Sequence, residues 1–233
     1  MTESLRLQAQ IIGAFETPIA IVKVANPAPL VAQLRELILA KRASHPGVIR
    51  SNIGGWHSDA DMLDWGGDDA YRVADAAVRM AKRMTYFSEP AGADAYDWSL
   101  QMWANVSGPG SANLTHTHPG NLFACVFYVD FGGEPSDDTG GEFFLEDPRF
   151  PMTAMHLPAL RVRGSDGNPQ RTVLNFRQEP GDLIMFPAWM RHGVLAYRGT
   201  RERISIAINV DAQRKERLSG YKAFVPIPDS GSA

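Results

Sequence analysis

The hydrophobic pattern of the chain changes period near residue 97. Upstream of that point, apolar residues recur at helical spacing in two segments. In "PAPLVAQLRELILAKRASH" (27–45), Leu30, Leu34 and Ile38 stand four apart behind a proline, which predicts a helix with proline at its start. "DDAYRVADAAVRMAKRM" (68–84) predicts a second helix, acidic at its start and basic at its end, as the helix macrodipole favours. "TPIAIVKV" (17–24) reads as a strand, and "SNIGGWHS" (51–58) reads as a loop from its Gly-Gly and Ser/Asn content.

Downstream, short β-type runs cover 98–106, 113–118, 122–131, 141–146, 171–177, 182–187, 192–197 and 202–210. Turn signals such as "SGPG", "HPG", "GSDGNP", "EPGD" and "YRGT" separate them. Short strands following two helices predict a mainly β protein with flanking helices (α+β), built as a sandwich or jelly roll buttressed from the N-terminal side. The expected organisation is one domain over 1–233. Its N-terminal strand and supporting helices fall in 1–96, its β core in 97–211 and a C-terminal tail in 212–233.

Two of these runs carry candidate chemistry. In "NLTHTHPG" (113–120), strict alternation would place Leu114, His116 and His118 on one face and Asn113, Thr115 and Thr117 on the other. Two imidazoles would then share one space, although H-x-H alone is a weak motif and equally fits a polar edge strand. His192 follows a Pro-Gly-Asp turn and the strand "LIMFP", far along the chain. Two histidines on one strand and a third on a distant one is a metal-site layout for a jelly roll, and neutral imidazoles suit iron, zinc, copper or nickel. In "RERISIAINV", Ile204, Ile206 and Ile208 occupy one face, leaving Arg203, Ser205, Ala207 and Asn209 on the other. That second face suits a polar cavity. An arginine within it calls for a carboxylate, either a ligand's or an internal Asp or Glu.

Bulk properties narrow the field. The chain has 233 residues, 44% of them hydrophobic and 21% charged, enough for a sizeable core. The formal net charge of −3, without a basic stripe, gives no reason to expect nucleic acid as a partner. No apolar run approaches the roughly 18 residues of a membrane span, and the first residues lack the blocks of a signal peptide. Cys125, the single cysteine, lies in the apolar run "LFACVFYVDF" and reads as a buried, inert thiol. The expectation is a cytoplasmic protein without membrane association.

Taken in order, "THTHPG", "FYV", "GGEFFLEDPR", "EPGDLIMFPAWMRH" and "RISIAIN" resemble the 2-oxoglutarate- and Fe(II)-dependent oxygenases, and within them a bacterial group with H-x-H in place of H-x-D. The likeness spans about 97–210, roughly half the chain. It implies a double-stranded β-helix, the cupin-like jelly roll, with Fe(II) as cofactor and 2-oxoglutarate as cosubstrate. By the same resemblance, His116 and His192 match the two metal histidines, and His118 stands where the family usually has its carboxylate. Arg203 and Ser205 match the pair that holds the distal carboxylate of 2-oxoglutarate, and Tyr128 matches a tyrosine that assists them. Asn105 and Trp103 are further candidates for the inner pocket.

The implied reaction couples decarboxylation of 2-oxoglutarate to oxidation of a substrate by dioxygen, with Arg203 orienting the keto acid. The substrate is a small molecule or a protein side chain, and the oligomeric state is open, a homodimer included. Two other readings stand beside it: a three-histidine cupin-type dioxygenase without 2-oxoglutarate, and a non-catalytic small-acid-binding jelly roll. Glu142 is the alternative third ligand should His118 not bind. His57 is placed in a loop that could fold over the mouth, and His45 and His156 are placed at the surface.

Overall fold

The computed structural model describes residues 8, 10, 12–133, 138–149, 157 and 159–215. An N-terminal strand, β1 (Ala20–Lys23), leads into helix α1 (Ala28–Ser44). Pro27 stands at the N-cap position of α1 without a side-chain cap, and Leu30, Leu34 and Ile38 are the buried residues of the helix, as their spacing requires. After β2 (Asn52–Ile53), β3 (Trp56–His57) and the single turn α2 (Met62–Trp65) comes α3 (Gly67–Met84). The buried positions of α3 are mostly alanines (Ala70, Ala74, Ala77, Ala81), which let its backbone come close to the sheet.

Eight further strands follow. They are β4 (Tyr96–Ser107), β5 (Ala112–His116), β6 (Phe123–Asp130), β7 (Phe143–Glu146), β8 (Val173–Phe176), β9 (Asp182–Pro187), β10 (His192–Val194) and β11 (Arg203–Arg214). They form two sheets, ordered β1-β9-β6-β11-β4-β3 and β2-β5-β10-β7-β8. Every pairing between strands is antiparallel.

The two faces of the larger sheet have different partners. Ile204, Ile206, Ile208 and Val210 pack with Leu34, Ile38, Val73 and Ala77 of the helices. The opposite face meets the smaller sheet, where Tyr128, Phe143, Leu145, Ile184 and Phe186 form a second cluster. A one-residue slip of β11 would exchange these faces. It would uncover three isoleucines worth roughly 1.5–3 kcal/mol each and drive Arg203 under the helices.

Three boundaries differ from the sequence reading. The segment 51–58 is not a plain loop: Asn52–Ile53 pairs with β5 of the smaller sheet, and Trp56–His57 pairs with β4 of the larger one. The first H-x-H residue ends β5, so His118 lies beyond the strand, its backbone N–H donating to Ala188 O at 2.9 Å. Strand β11 runs to Arg214, past the expected start of the tail at 212, because its pairing with β4 continues to Arg214↔Tyr96. The rest of the expected tail, 216–233, lies outside the described residues, as does His156. His45 is half-buried and pairs with Asp59 at 3.2 Å.

Candidate metal centre and carboxylate pocket

Between the sheets lies a cavity whose lining includes Trp103, Asn105, Tyr128, Arg203, Ser205 and Asn209, together with His116, His118 and His192. The smaller sheet supplies the histidines. His192 opens β10 directly opposite His116 at the end of β5. Two residues further along β10, Val194 faces Asn113, three residues before His116, so β5 carries an extra residue. This bulge breaks the strict alternation expected from sequence. Asn113 joins His116 on the cavity wall, and Leu114 turns outward, 57% exposed.

The three imidazoles converge. One ligand nitrogen from each lies within 4.8 Å of the others, and among the described residues this is the group of three or more metal-ligating side chains so placed. Ring centroids are 4.4 Å apart for His116–His192 and 4.9 Å for each pair containing His118. His116 Nδ1 donates to Leu114 O at 2.7 Å, and His192 Nδ1 donates to Met190 O at 2.9 Å. Each bond fixes a tautomer and leaves the Nε2 lone pair for a metal. His118 Nε2 and His192 Nε2 are 3.1 Å apart. Imidazole nitrogens bind first-row metals at about 2.0–2.1 Å, so neighbouring ligands of an octahedral ion stand roughly 3 Å apart. The donor set therefore fits a divalent transition metal.

Burial keeps these rings uncharged. It lowers the His116 pKa, and it brings His118 down to about 4, with the neighbouring His116 adding to the shift. His192, the most enclosed of the three, is pushed to about 3 by burial. Phe186 and Phe143 pack on its ring at 4.7 and 5.7 Å, and Trp103 approaches His118 at 5.9 Å.

The far end of the cavity belongs to Arg203. It is 2% exposed, and its Nε and Nη2 have no hydrogen-bond partner; nor does the buried Tyr128 hydroxyl. The guanidinium sits over the rings of Tyr128 and Phe131 at 5.5 and 5.4 Å. Burial pushes the Tyr128 hydroxyl up to about 12 and lowers the Arg203 pKa. An arginine in this setting remains a cation, and its unmet donors cost free energy until an anion arrives. A carboxylate accepting from Arg203 and Tyr128 would satisfy both, so the residues fit the distal carboxylate of a keto acid. Gly141, at positive φ, brings the backbone against this arginine: a Cβ there would lie 3.1 Å from Arg203 Cδ.

The other candidates fall elsewhere. Glu142 pairs with Arg177 at 3.7 Å and stands outside the histidine cluster. His57 is not a mobile loop residue. It is 7% exposed on β3, stacks on Trp103 at 5.5 Å and donates from Nδ1 to Ser58 O at 2.5 Å. Ser51 and Asn113 line the cavity without having been expected there, because one depends on the bulge and the other on the short β2 pairing.

A convergent three-imidazole cluster facing an enclosed arginine between two antiparallel sheets is the arrangement that a keto-acid-dependent jelly-roll metalloenzyme would need. The comparisons agree. Residues 101–209 match the family described as "Putative 2OG-Fe(II) oxygenase". Over that stretch, 109 of the 233 residues, the chain is similar to the 2-oxoglutarate- and Fe(II)-dependent oxygenases, and its fold is the double-stranded β-helix. Among solved structures, a Pseudomonas putida prolyl-4-hydroxylase is 17% identical, with a TM-score of 0.57, covering 86% of this chain and 94% of its own. A Trichoplax adhaerens prolyl hydroxylase in complex with a hypoxia inducible factor peptide fragment is 11% identical, with a TM-score of 0.58 and 83% coverage of each chain. HygX from Streptomyces hygroscopicus, with nickel and 2-oxoglutarate bound, is 14% identical, with a TM-score of 0.53, covering 84% of this chain and 83% of its own. No curated protein matches the chain. Among the described residues, no helix is long and apolar enough to cross a membrane.

Proposed function

We propose that the protein is a hydroxylase whose iron is held by His116, His118 and His192 and whose 2-oxoglutarate is held by Arg203, Tyr128, Ser205 and Asn105. The observation that carries this reading is the pairing, in one cavity, of the histidine cluster with a buried arginine two of whose nitrogens have no protein acceptor. A three-histidine dioxygenase that uses no keto acid leaves Arg203 unexplained, and a binding module leaves the histidines unexplained.

Each residue has a definable task. The carbonyls of Leu114 and Met190 hold two imidazoles in the ligating tautomer. Arg203 and the Tyr128 hydroxyl bind the distal carboxylate and so aim the keto-acid end at the histidines. Ser205 and Asn105, cross-strand partners on β11 and β4, flank the path between. Phe143, Phe186 and Trp103 exclude water around the ligands. When bound, iron and 2-oxoglutarate supply the oxidation chemistry, consuming dioxygen and releasing succinate and carbon dioxide. Three neutral ligands leave the full metal charge to be offset by the dianionic cosubstrate.

The prolyl hydroxylase neighbour seen with a peptide supports a protein side chain as one class of substrate. The single cysteine, buried in β6, is consistent with a reducing, cytoplasmic setting. The test is an anaerobic titration with Fe(II) followed by 2-oxoglutarate. A visible charge-transfer band that needs both additions, then succinate on admitting air, is the expected result. Iron binding with no keto-acid-dependent band would overturn the reading.

A further inference from the structure

The second polar end of the cavity is not accounted for by metal or keto acid. Asn209 lies on the same β11 face as Arg203, six residues further on, roughly 20 Å along the strand. It is 6% exposed, lines the cavity, and its carboxamide Oδ1 has no hydrogen-bond partner. Its cross-strand row locates it. Asn209 faces Ala124 on β6, Ala124 faces Phe186 on β9, and the Phe186 ring packs on His192 at 4.7 Å. Asn209 is therefore level with the histidines on the opposite sheet, at the end of the cavity away from Arg203. On its other side it faces Gln101 of β4, which is exposed, so a second carboxamide stands beside it at the rim.

The charge pattern is as informative. Among the described residues, and apart from the histidines, Arg203 is the only titratable cation or carboxylate lining the cavity. Around the metal end the walls are Ser51, Trp103, Asn113, Ala124, Phe186 and Val194, all uncharged. A charged group brought there from water would meet no counter-charge on these walls, and the metal charge is offset by the dianionic cosubstrate, whereas a neutral group with an N–H or O–H would complete the unmet acceptor of Asn209. We infer that Asn209 is a substrate-contact residue, and that the substrate presents an uncharged amide or hydroxyl donor beside its reacting carbon. This rests on assigning the Arg203 end to 2-oxoglutarate. It favours a peptide-like or otherwise blocked group over a free, zwitterionic amino acid.

The test is 2-oxoglutarate-dependent succinate formation by the iron-loaded enzyme. The probes are the N-acetyl amino-acid N-methylamides of all twenty side chains and the corresponding free amino acids. At least one neutral blocked member is expected to raise the rate above the unprompted one, with no stimulation by free amino acids. For that member Asn209→Leu is expected to raise KM about tenfold or more, because an inserted donor then finds no acceptor. Asn209→Asp, which keeps the shape and adds a negative charge, is expected to move preference toward members with cationic side chains. Stimulation confined to charged members, stimulation by none, or equal KM values in the parent and both variants overturns the inference. Failure of the underlying assignment is separate: it shows as a parent enzyme with no 2-oxoglutarate-dependent absorption band and no succinate in any arm.

Discussion

Replacing Arg203 with methionine should have opposite effects on binding and on stability. In the ligand-free fold, this guanidinium is 2% exposed and two of its nitrogens lack acceptors. Each unmet donor costs about 1–3 kcal/mol. Its contacts over Tyr128 and Phe131 return about 0.5–1 kcal/mol each. Methionine keeps the apolar stem and removes the charge, for a net gain on the order of 1–3 kcal/mol in the protein without ligands. In a chain of this size that raises Tm by about 2–10 °C. With 2-oxoglutarate the sign reverses. Two charge-assisted hydrogen bonds to a carboxylate are worth about 1.5–3 kcal/mol each, so Kd should rise by roughly two to four orders of magnitude. Differential scanning calorimetry of the metal-free proteins and an anaerobic 2-oxoglutarate titration of the iron-loaded ones measure the two effects. Iron affinity serves as the control, since the ligand histidines are untouched. A metal-free variant that melts several degrees below the parent, or a variant that binds 2-oxoglutarate within threefold of it, would refute the reasoning.

Three other outcomes follow from the same geometry. His118→Asp should keep measurable iron, because a carboxylate is a competent ligand at that position, whereas His118→Ala should lose much of it and His192→Ala most of it; equal iron in all the proteins after anaerobic loading and dialysis would remove both residues from the ligand set. Gly141→Ala places a Cβ 3.0 Å from Tyr197 Cδ2 and 3.1 Å from Arg203 Cδ at a φ of +78°, so it should cost about 1–3 kcal/mol of stability and weaken 2-oxoglutarate binding more than iron binding, as paired titrations will show. Burial holds His118 at about 4 and His192 at about 3 against an ordinary value of 6.5. The fold thus binds fewer protons than the unfolded chain, and stability of the metal-free protein is full above pH 6.5 and lost as pH falls from there toward 3. Urea midpoints that agree at pH 7.5 and pH 5 would contradict this.

Much of this architecture is local in origin, and the sequence determined it. The spacing of Leu30, Leu34 and Ile38 specified α1, and alternation of isoleucine with polar residues specified which face of β11 meets the helices. Both are periodicities of a single segment, so they need no knowledge of the partner. The ordered motifs from "THTHPG" to "RISIAIN" were also enough to bring the histidines and Arg203 under consideration together.

Tertiary structure decided whatever depends on two segments at once. The extra residue in β5 appears only against the register of β10, and it is what sends Asn113 rather than Leu114 into the cavity. The short pairings of 51–58 exist because β4 and β5 offer free edges, which no property of "SNIGGWHS" announces. The unmet donors of Arg203 and the unmet acceptor of Asn209 are likewise invisible in sequence. A hydrogen bond is lacking only with respect to everything that surrounds the group, and those surroundings are assembled from strands far apart in the chain.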